Sequence, residues 1–378
     1  MTKQHEYEQR AQTQQHPLFP DSVPDPRQWS RYVPGTIEQR SPLYQQYTQG
    51  IATDPPLQAL LALVDHHQPL PITFYCAVNY LLLGQPAHPL ADFYPLLRKQ
   101  PRPAREVYPI FRAFCLEQEQ ALRALLPTLR LQTNEVTRCA NLLPAFYRIY
   151  RRGGQAPLAL IEVGASAGLN LLWDHYSYTY VHPLSTGGQG TSRVGDSMAT
   201  VQVHCTLEGQ HVPDLPGQMP PIARRIGLDL HPLDIHREED VRLLRACIWP
   251  EERHRYALLD AAIATANQHP FDLLAGEAAA LLPEILETIP WEQTICLWHS
   301  YALRQGPEEA RDRLQDVLTH ASLRHTIYRV SLEMEPGEWD APRLELFTYR
   351  QGLCVGYDLL ATCDVHGTTM RWRSPMIV

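Results

Sequence analysis

Residues Pro157 to Trp173 read PLALIEVGASAGLNLLW, and no other stretch constrains the fold as strongly. Leu158–Val163 is an apolar run carrying one acid, Glu162. It predicts a strand buried on both faces, as in a parallel sheet. Gly164, Ala165, Ser166, Ala167 and Gly168 follow; they are too small to form a core but permit a tight turn and a close backbone approach. Leu169–Trp173, which includes Asn170, then reads as the start of a helix. Strand, turn and helix N-terminus bring amide N–H groups and the positive end of a helix dipole to one point, as in a ligand cradle. Ser166 stands where a dinucleotide fingerprint has its middle glycine, which argues against a phosphate ligand. The plain alternative is an ordinary strand–helix turn.

A chain of 378 residues exceeds a usual single core, so two structural units are expected. The formal net charge of -8 and the lack of any basic block argue against nucleic acid as a partner. No apolar run reaches membrane-spanning length, and the polar start MTKQHEYEQRAQTQQH does not read as a signal peptide. The 8 cysteines are scattered through mostly apolar contexts. They read as reduced thiols of a cytoplasmic protein, not as disulfides or a zinc cluster.

Residues 1–34 are polar and proline-bearing and are expected to form a loose arm, its end pinned by Trp29 and Tyr32. Residues 35–150 read as a helical cap. Asp54 before Pro55 and Pro56 signals a helix start, ITFYCAVNYLLL (Ile72–Leu83) a buried helix, and Pro109–Leu126 and Thr133–Tyr150 two more. From 151 to 378 strands alternate with helices, the mark of a parallel α/β sheet. Strands are expected at Leu158–Val163, Arg225–Leu230, Phe271–Ala275, Thr294–Trp298 and Thr326–Leu332. Leu344–Tyr349 and Val355–Thr362 should close the sheet as an antiparallel hairpin. Residues 182–222 form a proline- and glycine-rich insertion, within which Thr200–Thr206 alternates like an edge hairpin strand.

Ligands of open α/β sheets bind at the carboxyl ends of the strands, where the strand order switches. That rule selects Glu162, Asp229, Glu277, Trp298, His299 and Tyr301. Asp229 either accepts hydroxyls of a ligand or is a solvated strand-end acid. Glu277 either contacts a base or caps a helix. His299 is either a general base or a histidine bonded to backbone, and Trp298 or Tyr301 would wall a substrate pocket. On the helix read through TNEVTRCANLLP, Asn134, Glu135 and Arg138 share a face. They form a local salt bridge, or Arg138 reaches a ligand carboxylate. Asp229 with His231, and Asp364 with His366, alternate on strand faces, but there is no helical histidine pair or cysteine–histidine knuckle, so no metal is expected.

The chain resembles the bacterial domain-of-unknown-function family 2332. The likeness rests on SPLY (Ser41–Tyr44), YLLL (Tyr80–Leu83), HPLADFYP (His88–Pro95), TNEVTRCANLLP (Thr133–Pro144) and EVGASAGLNLLWDHY (Glu162–Tyr176). It continues through RIGLDLHPLDI (Arg225–Ile235), LLRACIWPE (Leu243–Glu251), GEAAALLPEIL (Gly276–Leu286) and WHSYAL (Trp298–Leu303). The glycine loop and the strand series also look like class I S-adenosylmethionine methyltransferases. That resemblance implies a Rossmann-like methyltransferase sheet with a helical N-terminal cap and a C-terminal β-hairpin. It implies S-adenosylmethionine held by Glu162, Gly164, Ser166, Gly168, Asn170, Asp229 and Glu277. His299 and Tyr301 would then be catalytic, with Asn134, Glu135, Arg138 and Trp298 touching cofactor or a small-molecule substrate. The alternatives are a non-catalytic ligand-binding protein that kept the fold, and a hydrolase using His299 with Asp364 and His366.

Overall fold

A computed structural model describes residues 40–184, 187–303, 306–335 and 338–373. The arm expected at 1–34, with Trp29 and Tyr32, lies outside the described residues. The chain divides into two compact units. One holds the described residues up to Thr133 together with Arg242–Tyr256; the other holds Asn134–Val241 and the described residues from Ala257 on.

The first unit is helical. Its helices are Pro42–Ile51, Pro55–Leu61, Leu70–Leu83, Tyr108–Glu117 and Glu119–Leu125. Two begin with prolines behind a side-chain cap: Ser41 accepts from the Tyr44 N–H and Asp54 from the Leu57 N–H. Leu70–Leu83 is buried nearly all round, as its composition requires, whereas the helix expected over Pro109–Leu126 breaks at Gln118. Residues 242–256 join this unit through Asn79, whose amide donates to the Ala246 carbonyl (3.1 Å), and through Arg40, paired with Glu252 (2.6 Å).

The second unit carries a mixed α/β sheet of eleven strands among the described residues. These are β1 (Leu158–Val163), β2 (Ser177–Pro183), β3 (Gln189–Val194), β4 (Gln202–Leu207), β5 (Ile222–Asp229), β6 (Asp272–Ala275), β7 (Thr294–Ser300), β8 (Ile327–Glu335), β9 (Glu338–Arg350), β10 (Leu353–Cys363) and β11 (Thr369–Trp372). Their spatial order is β3-β2-β4-β11-β10-β9-β8-β7-β1-β5-β6, parallel at most junctions. After β1 the chain forms β2, β3 and β4 at the far end of the sheet, comes back to β5 and β6 on one side of β1, and then to β7 and β8 on the other. The switch in strand order therefore lies between β1 and β7.

Four expectations need correction. The strand expected at the edge, β4, is interior, paired in parallel with both β2 and β11; among the described residues the outer strands are β3 and β6. Its alternating pattern reports one buried and one open face, which edge and interior strands share. No α-helix follows the glycine loop: Leu169–His175 is a short 3₁₀ segment leading directly into β2. The helix read through Thr133–Tyr150 starts only at Cys139, after a 3₁₀ turn at Val136–Arg138. Finally, that Cys139–Arg152 helix belongs to the sheet unit, packing on β4, β7, β8 and β9. The expected antiparallel pair is present as β9 and β10, extended by β11.

Strand alternation divides the β1 and β7 side chains between two layers. Ala159, Ile161 and Val163 pack with Ile295, Leu297 and the helices Ala278–Glu287 and Glu308–Ala321. Glu162 and Trp298 are paired in register and share the opposite face, where Phe146 fits against Trp173 and edge-on to Trp298, both ring centroids at 5.0 Å. Phe146 is thus the wedge of this layer. Phe146→Ala should cost about 3–5 kcal/mol, the scale of an aromatic core truncation. The check is a urea melt, and a midpoint equal to wild type would show that the layer does not depend on it.

Candidate functional site

The turn after β1 has three residues with left-handed backbone: Gly164 (φ +76), Ser166 (φ +54) and Gly168 (φ +74). A Cβ at Gly164 would strike Ala302, and one at Gly168 would strike Phe271. The two glycines are therefore required by close packing of the protein on itself, and the room expected above Gly164 for a ligand is taken by Ala302.

The loop amides are also accounted for. Gly164 and Ala165 donate to the Leu228 carbonyl, and Gly168 donates to Ala165. Ser166 N–H donates to Asp229 Oδ2 (2.8 Å), while Ala167 and Leu169 donate to Asn134 Oδ1 (2.9 and 3.4 Å). Asn134 Nδ2 completes the clamp by donating to the Ala165 carbonyl (3.1 Å). With no helix behind the loop and its amides engaged, the anion cradle does not form. Asn134 does belong to the site, but as a loop clamp reached from an extended segment, not from a helix face shared with Arg138. Asn134→Ala would strand two partly buried amides and should cost about 1–3 kcal/mol, read from chemical denaturation. A loss below a few tenths would mean that other groups satisfy the loop.

Glu162 is buried, and burial pushes its carboxyl well above the usual carboxylate range. Trp298, Asn170 and Arg138 work against that shift and Asp229 adds to it. Asn170 itself accepts from the Cys139 thiol (3.4 Å). Because the folded protein holds the Glu162 proton more tightly than the unfolded chain, its contribution to stability is full below the unfolded value and is lost as pH rises through the folded one. Glu162→Gln keeps the neutral shape without the titration. The variant should match wild type near pH 4 and exceed it near pH 8 in thermal midpoint. Parallel pH curves for the two proteins would refute the assignment.

His299 is buried on the other face, its Nδ1 2.7 Å from Glu333 Oε1. Ala302 and Leu303 also donate backbone N–H groups to that oxygen (3.1 Å each). Burial opposes charge on Glu333, but the His299 hydrogen bond and charge together with the two amides hold it below the usual range. Glu333 thus fixes both the imidazole and the 301–303 turn. Sequence reasoning passed it over, although it sits near the carboxyl end of β8, where the rule that selected Glu162 and Asp229 would have found it. Tyr301 has φ +55, a costly conformation for a bulky residue, and its ring lies beneath the Arg138 guanidinium at 4.0 Å. Arg138 Nε donates to the Val365 carbonyl (3.2 Å).

Other expected site residues lie elsewhere. Glu277 is paired with Arg313 (2.5 Å) at the surface. Trp298 is fully buried against Phe146 and walls no open pocket. Glu135 accepts from the Thr137 hydroxyl (2.8 Å) and lies 3.6 Å from His366 Nδ1. Asp364 caps its own turn, accepting from Thr369, Thr368 and His366, while the carboxylate on His299 is Glu333. The hydrolase arrangement of His299 with Asp364 is therefore not assembled. The sequence reading also passed over Asp65, His66 and His67, whose ligand atoms lie within 4.8 Å of one another; Asp65 is paired there with Arg130 (2.8 Å).

What converges at the carboxyl ends of β1, β5, β7 and β8 is a set of acids with a histidine, a tyrosine and an arginine. Within it, Ser166 Oγ, Ser300 Oγ and Glu333 Oε2 are buried with no hydrogen-bond partner among the described residues. Such atoms are uncommon in native interiors and mark places for water or a ligand.

The architecture is a mixed α/β sheet with polar groups gathered at the strand-order switch. The chain belongs to DUF2332, a family described as uncharacterised protein conserved in bacteria, whose model matches residues 31–372. No curated protein and no solved structure matches it. No helix among the described residues is long and apolar enough to cross a membrane.

Proposed function

We propose that the sheet unit is an S-adenosylmethionine-dependent methyltransferase acting on a small molecule, with its site at the carboxyl ends of β1, β5 and β7. The observation that carries this reading is the cluster of buried, unpartnered polar atoms at the strand-order switch. The nucleoside half of the cofactor fits the residues present. Asp229 is half-buried at the end of β5 and uses one lone pair on each oxygen for the Ser166 and His231 amides (2.8 Å each). A carboxylate at a strand end is the group type that accepts from a vicinal diol.

When bound, the cofactor supplies an electrophilic methyl group on a sulfonium. This chain's residues position and exclude water: burial favours the protonated form of Glu162, and a ligand carboxylate would pair with Arg138. His299, oriented by Glu333, takes a proton from a hydroxyl or ammonium acceptor. Entry at Gly164 requires the 301–303 turn to move aside, since Ala302 lies over it.

The same contact favours a second reading, a descendant that kept the fold and binds a ligand without catalysis. Calorimetric titration with S-adenosylmethionine and S-adenosylhomocysteine tests the first. Binding is expected, with Asp229→Asn weaker by about 1–3 kcal/mol at unchanged circular dichroism. No heat at millimolar ligand from a folded sample would overturn it. Binding without a methylated product from any acceptor pool would favour the second.

A further inference from the structure

Cys76 and Cys247 lie 171 positions apart, yet their sulfurs approach to 3.4 Å inside the helical unit. Cys76 sits in the Leu70–Leu83 helix, and Cys247 directly follows the Glu238–Ala246 helix. Both belong to the buried hydrophobic core of that unit. Two thiols in hydrogen-bond contact are not required by apolar packing, which any small side chain would serve.

We propose that Cys76 and Cys247 are a peroxide-sensitive thiol pair that closes to a disulfide, with Cys247 as the attacking sulfur and Cys76 as the resolving one. The roles follow from the surroundings. Cys247 is the more accessible, 7% exposed against 2% for Cys76. The hydrogen bond between the two sulfurs holds the Cys247 thiol below its ordinary range. Burial opposes this, while a backbone hydrogen bond from Gln132 and the charge of Arg255 reinforce it. Cys76 is pushed the other way, by the same bond and by burial. Oxidation starts from a thiolate, and the more exposed sulfur is the one a peroxide reaches first.

The steps balance with a peroxide as oxidant. The Cys247 thiolate attacks one oxygen of hydrogen peroxide, the O–O bond breaks, and hydroxide leaves behind a sulfenic acid. The Cys76 sulfur then attacks the Cys247 sulfur, the S–O bond breaks, and water leaves with the Cys76 proton. A disulfide needs an S–S distance near ~2.0 Å, so the sulfurs close by a little over an ångström through side-chain rotation and slight helix adjustment. The product ties residues 242–256 covalently to the N-terminal helices.

The test is peptide mapping of the full chain after graded hydrogen peroxide, with free thiols alkylated before non-reducing digestion. The expected result is a cross-linked peptide joining Cys76 and Cys247, lost on dithiothreitol treatment, and a higher thermal midpoint for the oxidised protein. Recovery of both residues as alkylated thiols, at a dose that oxidises the exposed Cys354, would overturn the proposal. So would a Cys247 sulfinic acid without the cross-link. Cys76→Ser should leave a Cys247 sulfenic acid that dimedone traps. If that variant fails to fold, the wild-type map alone decides.

Discussion

The sheet unit depends on how the peptide groups after β1 are satisfied. Gly164 to Leu169 leave the sheet at its buried centre, and buried N–H groups require acceptors. Asn134 and Asp229 supply them, together with the Leu228 carbonyl. One clamp comes from the segment before the Cys139–Arg152 helix and the other from the end of β5. The loop is therefore the joint at which helix, β1 and β5 are held in one geometry. Asp229 also accepts from the His231 N–H and so sets where the chain turns after β5. A ligand that used these amides would have to displace both clamps.

Much of the sheet was legible because its central strands are apolar runs bounded by turns. Those expected at Leu158–Val163, Thr294–Trp298 and Thr326–Leu332 match β1, β7 and β8 to within a few residues. Two strands, β2 and β3, were not legible. Ser177–Pro183 and Gln189–Val194 are polar on alternate positions and rich in tyrosine, threonine and serine, so their signal lies in long-range pairing. The segment Thr133–Arg138 misled for a related reason. Its spacing suits a helix, but Asn134 competes for backbone groups, and here it bonds the loop of another element.

At the site, the sequence identified residue types at strand ends but not their partners. Asp229 and Asn134 were expected to meet a ligand, and both bond the backbone of the glycine loop. Glu277 was expected to meet a base and meets Arg313. Such partners come from elements remote in the chain, and one sequence carries no record of them. Glu333 shows the reverse: its position was accessible to the strand-end rule, and its importance appears only with His299 beside it.

Two acids near the same sheet end are driven in opposite directions. Glu162 shares its face with Trp298 and Phe146, where burial dominates and favours the proton. Glu333 shares the opposite face with His299, where the imidazole and two amides outweigh burial and favour the charge. Titratable groups pushed apart by their surroundings are how a fold separates proton donor from acceptor. Strand alternation makes this separation possible, because neighbouring residues of β7, Trp298 and His299, point to opposite layers. Tyr301 then turns the chain back over the end of β1 in a left-handed conformation, held by Arg138 above and by Glu333 through the next two amides. The strain at Tyr301 is sustained by those contacts, which makes the 301–303 turn the element through which the two faces are linked.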